Sequence, residues 1–452
     1  MSPYERRAAL GLGGIYALRM LGLFLILPVF ALYAEDLHGV TPFLVGMAIG
    51  VYGLTQAVFQ IPFGLLSDRV GRKRVIVLGL LIFALGSVVA ALADTIWLVI
   101  FGRALQGAGA VAAALMALAA DLTREEQRVK AMAIIGASIG TSFAAAMVLG
   151  PVLGAWIGVQ GIFWTTAALA LLGIGVLYVV VPAPPVSRVH ADAQTVPAQL
   201  GQVLRAPELL RLDAGILLLH LILTASFVVI PLVLRDTVGL PAAQHWQVYL
   251  GVMVLSLVAM VPFVIVAERK RRLKQFFLGA IVLLGVAQLG LAVMPSTLLT
   301  MFVLLWLFFA AFNLLEASLP SLIAKIAPAQ HKGSAMGVYT SSQFLGAFLG
   351  GALGGSLYGA VGAQGVFLAC AGLALLWLAL AAGMADPRYL SSQLLRVGAL
   401  SDAEAAALVR RLRAVAGVAE AVIPPGDEVA YLKVDRHRLD QQALQRIASE
   451  RG

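Results

Sequence analysis

The stretch Pro62-Phe63-Gly64-Leu65-Leu66-Ser67-Asp68-Arg69-Val70-Gly71-Arg72-Lys73-Arg74 returns in outline two hundred residues later, as Pro262-Phe263-Val264, three further residues and Glu268-Arg269. Each copy closes an apolar run and leads into a basic cluster, the second being Arg269-Lys270-Arg271-Arg272 with Lys274. Ala131-Met132 and Ala335-Met336 form another matched pair, each opening a run that then becomes glycine-rich. Self-similarity at a long, fixed offset marks a duplicated unit. Here the unit predicts two bundles of apolar helices related by an axis along a membrane normal.

The surrounding composition agrees with a lipid environment. Of 452 residues 61% are apolar and 12% charged, with a mean hydropathy of +0.94, whereas soluble domains carry roughly 25% charged residues. A soluble enzyme core and a disordered chain are both excluded. Apolar runs of bilayer-spanning length occupy about residues 8–33, 43–66, 75–93, 96–120, 131–156, 160–181, 209–234, 244–266, 276–294, 298–324, 334–358 and 364–384. With the N-terminus in the cytoplasm, the Lys and Arg of the short loops gather on that side and only Arg235 remains outside. That asymmetry is the positive-inside signal and favours an even number of spans with both termini cytoplasmic. It also accounts for the net charge of +9 without nucleic acid, since no stacking aromatics interleave the basic residues. The first run follows Arg6 and Arg7 but exceeds a signal-peptide core in length, so it reads as a retained helix. Cys370 is the one cysteine, which leaves neither a disulfide framework nor a thiolate metal centre.

Composition shifts divide the chain into a six-helix bundle at 1–181, a Pro- and polar-rich cytoplasmic linker at 182–208, a second six-helix bundle at 209–385 and a charged cytoplasmic tail at 386–452. The tail alternates strand-like LLRV (394–397), AEAVI (419–423) and VAYLKV (429–434) with two helices. Ser401 and Glu404 have capping-box spacing at the start of the first helix, and the second follows Asp440. A PPGD turn separates the last two strands. The order βαββα is that of a small α+β ferredoxin-like domain without a final strand.

The segment Gly64 to Arg74 resembles motif A of the major facilitator superfamily, and Gly102-Arg103-x-x-Gln106-Gly107-x-Gly109 resembles its motif B. Ala146-x-x-x-Gly150-Pro151-x-x-Gly154-Ala155 resembles motif C, with alanine at two positions where glycine is usual. The resemblance implies an all-α membrane protein of 12 transmembrane helices in two pseudo-symmetric bundles. In motif A, Gly64 and Gly71 permit a tight turn. Asp68 with Arg69, Arg72, Lys73 and, at the end of the fourth run, Asp121 forms a charged cluster suited to a conformational latch. A solvated basic loop is the plainer alternative. Motif B puts Arg103 inside a span, where insertion costs about 3 kcal/mol. The resemblance gives it a part in proton coupling, while a structural hydrogen-bond hub is the alternative. The resemblance to motif C, through Gly150, Pro151 and Gly154, implies an antiporter, with plain glycine-rich packing as the alternative, and its small residues and proline-bent helix suit packing against the eleventh run of the other half.

Three further polar residues lie in apolar runs. Glu316 is the one acid deep inside a span, and burial pushes a carboxyl toward reversible protonation. His220 titrates near neutrality and can share that work or serve as an interhelical hydrogen-bonder. Arg19 in the first run is open between coupling and structure. Glu35 and Asp36 read as solvated at the outer end of the first run, and Asp213 as an inner helix end. The expectation is therefore an inner-membrane, proton-coupled antiporter, not an enzyme, that exports small hydrophobic or amphipathic compounds. A metabolite or sugar symporter and a transport-dead sensor or scaffold are the alternatives. No phosphate-binding loop is present, and no cofactor or metal is expected. The expected partners are the substrate, protons and the lipid bilayer, with docking or self-association through the tail's basic residues. The match of a facilitator with this tail covers nearly the whole chain.

Overall fold

The computed structural model describes residues 1–183, 197–328, 331–386, 390–398, 400–423, 429–435 and 438–449. Most of the linker, the PPGD turn and Arg436 lie outside the described residues.

Helix α1 (Pro3–Phe24) begins at a capping box in which the Ser2 hydroxyl accepts from the Glu5 amide and the Glu5 carboxylate accepts from the Ser2 amide. The buried Glu5 also pairs with Arg124, 2.9 Å away. Instead of continuing to residue 33, the first run breaks over Leu25–Val29 and resumes as the short α2 (Phe30–Tyr33). Pro28 lies within this break, and proline cannot supply the amide that a continuous helix needs. Helix α3 (Pro42–Val70) starts behind a Thr41 cap and stops at Gly71, whose φ of +106° suits glycine. Helix α4 (Arg72–Ala91) follows directly.

The fourth run is two helices, α5 (Ile96–Ala108) and α6 (Ala112–Asp121). At the break the Gly109 carbonyl accepts from the Arg19 guanidinium at 3.1 Å and from the Val111 amide at 3.0 Å. A Cβ at Gly109 would collide with the Gly79 carbonyl on α4. Close crossing and a buried cation thus explain an interruption that hydropathy does not display.

Helices α7 (Glu125–Val179) and α13 (Lys332–Ala382) each merge two expected runs across one glycine of left-handed φ, Gly158 and Gly362, both at +70°. Each doubles back there. Gly13 faces Ser138 and Gly150 faces Leu25, whereas Thr166 faces Gly22 and Val181 faces Gly11, so the second arm of α7 returns along α1. Gly346, Gly350 and Gly354 rise along Leu217, Leu221 and Ala225, and Trp377 returns to Gly215. Between them the chain forms α8 (Pro197–Val203), α9 (Pro207–Asp236), α10 (His245–Arg269), α11 (Leu273–Val293) and α12 (Leu298–Ile326). Ten helices among the described residues are long and apolar enough to cross a membrane.

After α13 come β1 (Ser391–Arg396), α14 (Asp402–Ala414), β2 (Val418–Val422), β3 (Val429–Val434) and α15 (Gln441–Ser449), with an antiparallel sheet of order β1-β3-β2. The pairing sets Leu394 opposite Tyr431, and Ala421 opposite Leu432. Ser401 and Glu404 form the expected capping box. Leu408, Leu412, Ala421, Leu432, Val434 and Leu444 build a separate small core.

Candidate functional site

The two bundles meet at the end opposite the basic loops. Along α3 and the first arm of α13, a Cβ at Gly46 would collide with the Gly351 carbonyl, and one at Gly355 with the Pro42 carbonyl. Such backbone-to-backbone contact requires small residues. Beside it Phe143 of α7 stacks on Phe312 of α12 with centroids 5.8 Å apart, and Phe24 meets Phe143 edge-on at 5.0 Å. Phe309 adds a fourth ring, 6.1 Å from Phe143. At the rim Arg235 grips Glu35 through both guanidinium nitrogens, at 2.6 and 2.8 Å, and also holds Asp236 at 2.6 Å. Glu35 is exposed, as expected of the outer end of the first run, and is also half of a bond between the halves. Arg235 was legible as the lone outer cation, yet its partner is 200 residues away in sequence.

Glu316 lies one turn beyond Phe312 on α12, on the basic-loop side of the aromatic layer. Its Oε1 accepts from Gln343 Nε2 at 3.1 Å. Its buried Oε2 has no hydrogen-bond partner and sits 3.9 Å from His220 Nε2. Gln343 also bridges to His220 Nε2 at 2.9 Å, and the imidazole packs on Phe312 at 5.8 Å. A carboxyl, an imidazole and an amide from α12, α9 and α13 are thus brought together within the second bundle. Gln343 had no signal in the sequence, being one of several polar residues in the Thr340–Gln343 stretch.

Arg19 and Arg103 form a different cluster, in the first bundle. Arg19 Nη2 donates to Gln56 Oε1 at 2.6 Å, and its guanidinium lies over Phe83 and Tyr52 at 5.5 and 5.8 Å. Arg103 donates to the Ala48 and Ile49 carbonyls of α3 and to Gln106 at 2.8 Å, and stands 5.2 Å from the Tyr52 ring. Carbonyls, amides and ring faces surround both cations, as an intramembrane arginine requires, although Arg19 Nε and Nη1 have no hydrogen-bond partner of their own. Tyr52 in turn touches Phe344, next to Gln343, with centroids 6.1 Å apart. The four coupling candidates thus fall into two pairs on opposite sides of the interface.

In motif A, Arg72 pairs with Asp68, donates to Ser67 at 2.8 Å and reaches the fully buried Asp121 carboxylate at 3.2 Å. This ties the end of α3, the start of α4 and the end of α6. Lys73 caps the returning arm of α7, donating to Val181 O at 2.6 Å and Leu177 O at 3.1 Å. Arg69 is exposed, and a Cβ at Gly64 would lie 3.1 Å from Ala113.

Motif C does not meet the eleventh run, as its small residues had suggested. A Cβ at Gly150 would lie 2.6 Å from the Leu25 carbonyl and 2.8 Å from Pro28, and Gly154 faces Val29, so the motif packs on the break after α1. Pro151 sits between them. The glycines of the eleventh run are taken up by α9 and α3 instead. Asp213, expected to mark an inner helix end, lies in the second turn of α9 and is buried.

Two matched bundles enclosing an intramembrane carboxyl define a membrane transport protein. Its sequence matches the profile described as Major Facilitator Superfamily over residues 12–273 and 214–419, and the chain belongs to that family. It is similar to the inner membrane transport protein YajR of Escherichia coli strain K12, with 50% identity over 435 residues covering 96% of this chain and 95% of that one. It is 27% identical to the multidrug resistance protein MdtH of Yersinia enterocolitica over 70% of this chain and 78% of the relative. In fold it resembles a bacterial homologue of the human lysosomal transporter Spinster, with TM-score 0.72 and 14% identity over 86% of this chain and 99% of the other.

Proposed function

We propose that the protein is a proton-coupled antiporter that exports small hydrophobic or amphipathic compounds by alternating access. Ten membrane helices, two of them doubling back, make twelve passages. In this reading the basic loops, both termini and the ferredoxin-like tail lie in the cytoplasm. The observation that carries it is Glu316, a carboxyl held by Gln343 beside His220 and beneath the Phe143–Phe312 stack. An ionised carboxylate is expensive in such a place, so its protonation state and the exposure of the site change together. The likeness to MdtH, a multidrug resistance protein, supports efflux of drug-like compounds, and motif C supports antiport over symport. Motif A and the Arg235–Glu35 pair then act at opposite ends of the rocking bundles, and Arg19 and Arg103 stiffen the first bundle.

The test uses the full-length protein in proteoliposomes with a panel of lipophilic cations such as ethidium and neutral amphiphiles. Glu316→Gln should abolish flux driven by a pH gradient while substrate binding is partly retained, because the amide keeps the size but cannot ionise. Undiminished pH-driven flux in that variant rejects the reading.

A further inference from the structure

Asp213 is, beside Glu316, another acid within the C-terminal bundle. It lies on α9, 5% exposed, and neither carboxyl oxygen has a hydrogen-bond partner. Two buried donors are also unused nearby. The Tyr339 hydroxyl on α13 has no partner, and the ring is 3% exposed. Trp377 Nε1 has none either, and it stands 2.9 Å from where a Cβ of Gly215 would be, two residues beyond Asp213. Native proteins seldom leave buried polar groups unpaired, and such exceptions concentrate where function uses them.

The placement of these groups is ordered. Asp213, Ile216 and His220 share one face of α9, and Tyr339 and Gln343, one turn apart, share one face of α13. The two helices run side by side in the same sense, Gly346 against Leu217 and Gly350 against Leu221. Asp213 therefore lies two turns nearer the basic-loop end than His220, about 10 Å along the axis. Tyr339 stands one turn before Gln343, the residue that bonds Glu316, on the arm of α13 that packs along α9. Several of the other charged groups at this end have partners of their own. Arg211 is held by Glu208 and the Gly383 carbonyl, and Lys325 and Lys332 have interactions of their own. His331 lies just before α13.

We propose that Asp213 is a second proton-carrying carboxyl of the C-terminal bundle and that Tyr339 passes the proton between it and Glu316. This rests on the reading of Glu316 as the proton site. The Glu316 carboxyl gives its proton to the Tyr339 oxygen while the phenol gives its own to the Asp213 carboxylate. Glu316 ends ionised, Asp213 protonated and Tyr339 unchanged. Asp213 then releases the proton to water at the basic-loop end. Because the Tyr339 hydroxyl has no partner in this conformation, the handover takes place with a rotation of its side chain, which couples it to movement of α13 against α9.

The test is infrared difference spectroscopy of the full-length protein in lipid, following carboxylic-acid C=O bands through a pH titration. The wild type should show two titrating bands, Glu316→Gln should remove one and Asp213→Asn the other. Asp213→Glu should restore a shifted second band, which separates loss of the group from loss of the fold. After a pH jump, Tyr339→Phe should slow the decay of the Glu316 band at least tenfold. An unchanged spectrum in Asp213→Asn, or unchanged decay in Tyr339→Phe, overturns the inference and leaves Glu316 standing. An unchanged spectrum in Glu316→Gln overturns the reading of Glu316 instead.

Discussion

Removing the Arg235 side chain should loosen the closed end of the transporter by a measurable but modest amount. Arg235 is 33% exposed at its side chain, Glu35 51% and Asp236 52%, so water screens the cluster. Exposed pairs contribute about 0.2–1 kcal/mol. The two-point grip on Glu35 puts this one near the upper end, since bidentate arginine pairs are the stronger kind. Arg235→Ala also leaves two carboxylates facing each other without a counter-charge. A change of about 1 kcal/mol corresponds to a factor of about five between closed and open populations. Spin labels at Leu92 and Met294, both exposed and on opposite halves, would report the opening as a distance distribution. The open fraction should rise two- to fivefold in Arg235→Ala, and likewise in the wild type at high salt. The exchange Glu35→Arg with Arg235→Glu should restore the original distribution. If Arg235→Ala leaves it unaltered in a folded protein, the pair is decoration and the closed end is held by helix packing alone.

Gly46→Ala should have a larger effect at the same end, because the new methyl meets the Gly351 carbonyl and the α3–α13 contact must part; the same labels would show it, and an unshifted distribution would contradict the packing argument. Asp121→Ala should cost about 3 kcal/mol in thermal unfolding, the lower end for breaking a buried ion pair, since Asp68 still faces Arg72; a loss under 1 kcal/mol would mean that Asp68 suffices. Lys433 is buried with its amine on the Ala324 and Lys325 carbonyls at the end of α12, and Asp435 lies 3.5 Å from Arg271. Burial pushes the Lys433 ammonium down to about 8. The docked tail therefore binds fewer protons than the released one, and docking strengthens as pH rises from about 8 toward the ordinary lysine range. The protection factor of the β3 amides, exchange corrected for its intrinsic rise with pH, should increase over that interval in the wild type and not in Lys433→Met.

The duplicated bundles, the βαββα tail and the costly residues Arg19, Arg103, His220 and Glu316 were all legible in the sequence. Hydropathy, charge asymmetry and short-range spacing are local properties, and a polar side chain in an apolar run announces itself. Arg72 with Asp121 was foreseeable because motif A left a cation in search of an acid at the neighbouring helix end. Capping at Ser401 was equally local, since it depends on four consecutive residues.

Partnership across the chain was not legible. The sequence presents Arg235 and Glu35 as two charges at helix ends, and only the meeting of the halves makes them a pair. It offers glycines in the fifth and eleventh runs that fit each other in size, whereas folding sets the first on the α1 break and the second on α9 and α3. Small residues state that something comes close without stating what. Asp213 reads as a helix terminus from its neighbours, whereas in the fold it is buried, on the stretch of α9 against which α13, folded back at Gly362, places Trp377 beside Gly215. Composition and pattern thus determined the medium, the duplication and the kinds of chemistry available. Which groups share a site was decided by tertiary packing, because contact between distant segments depends on crossing geometry that no local pattern encodes.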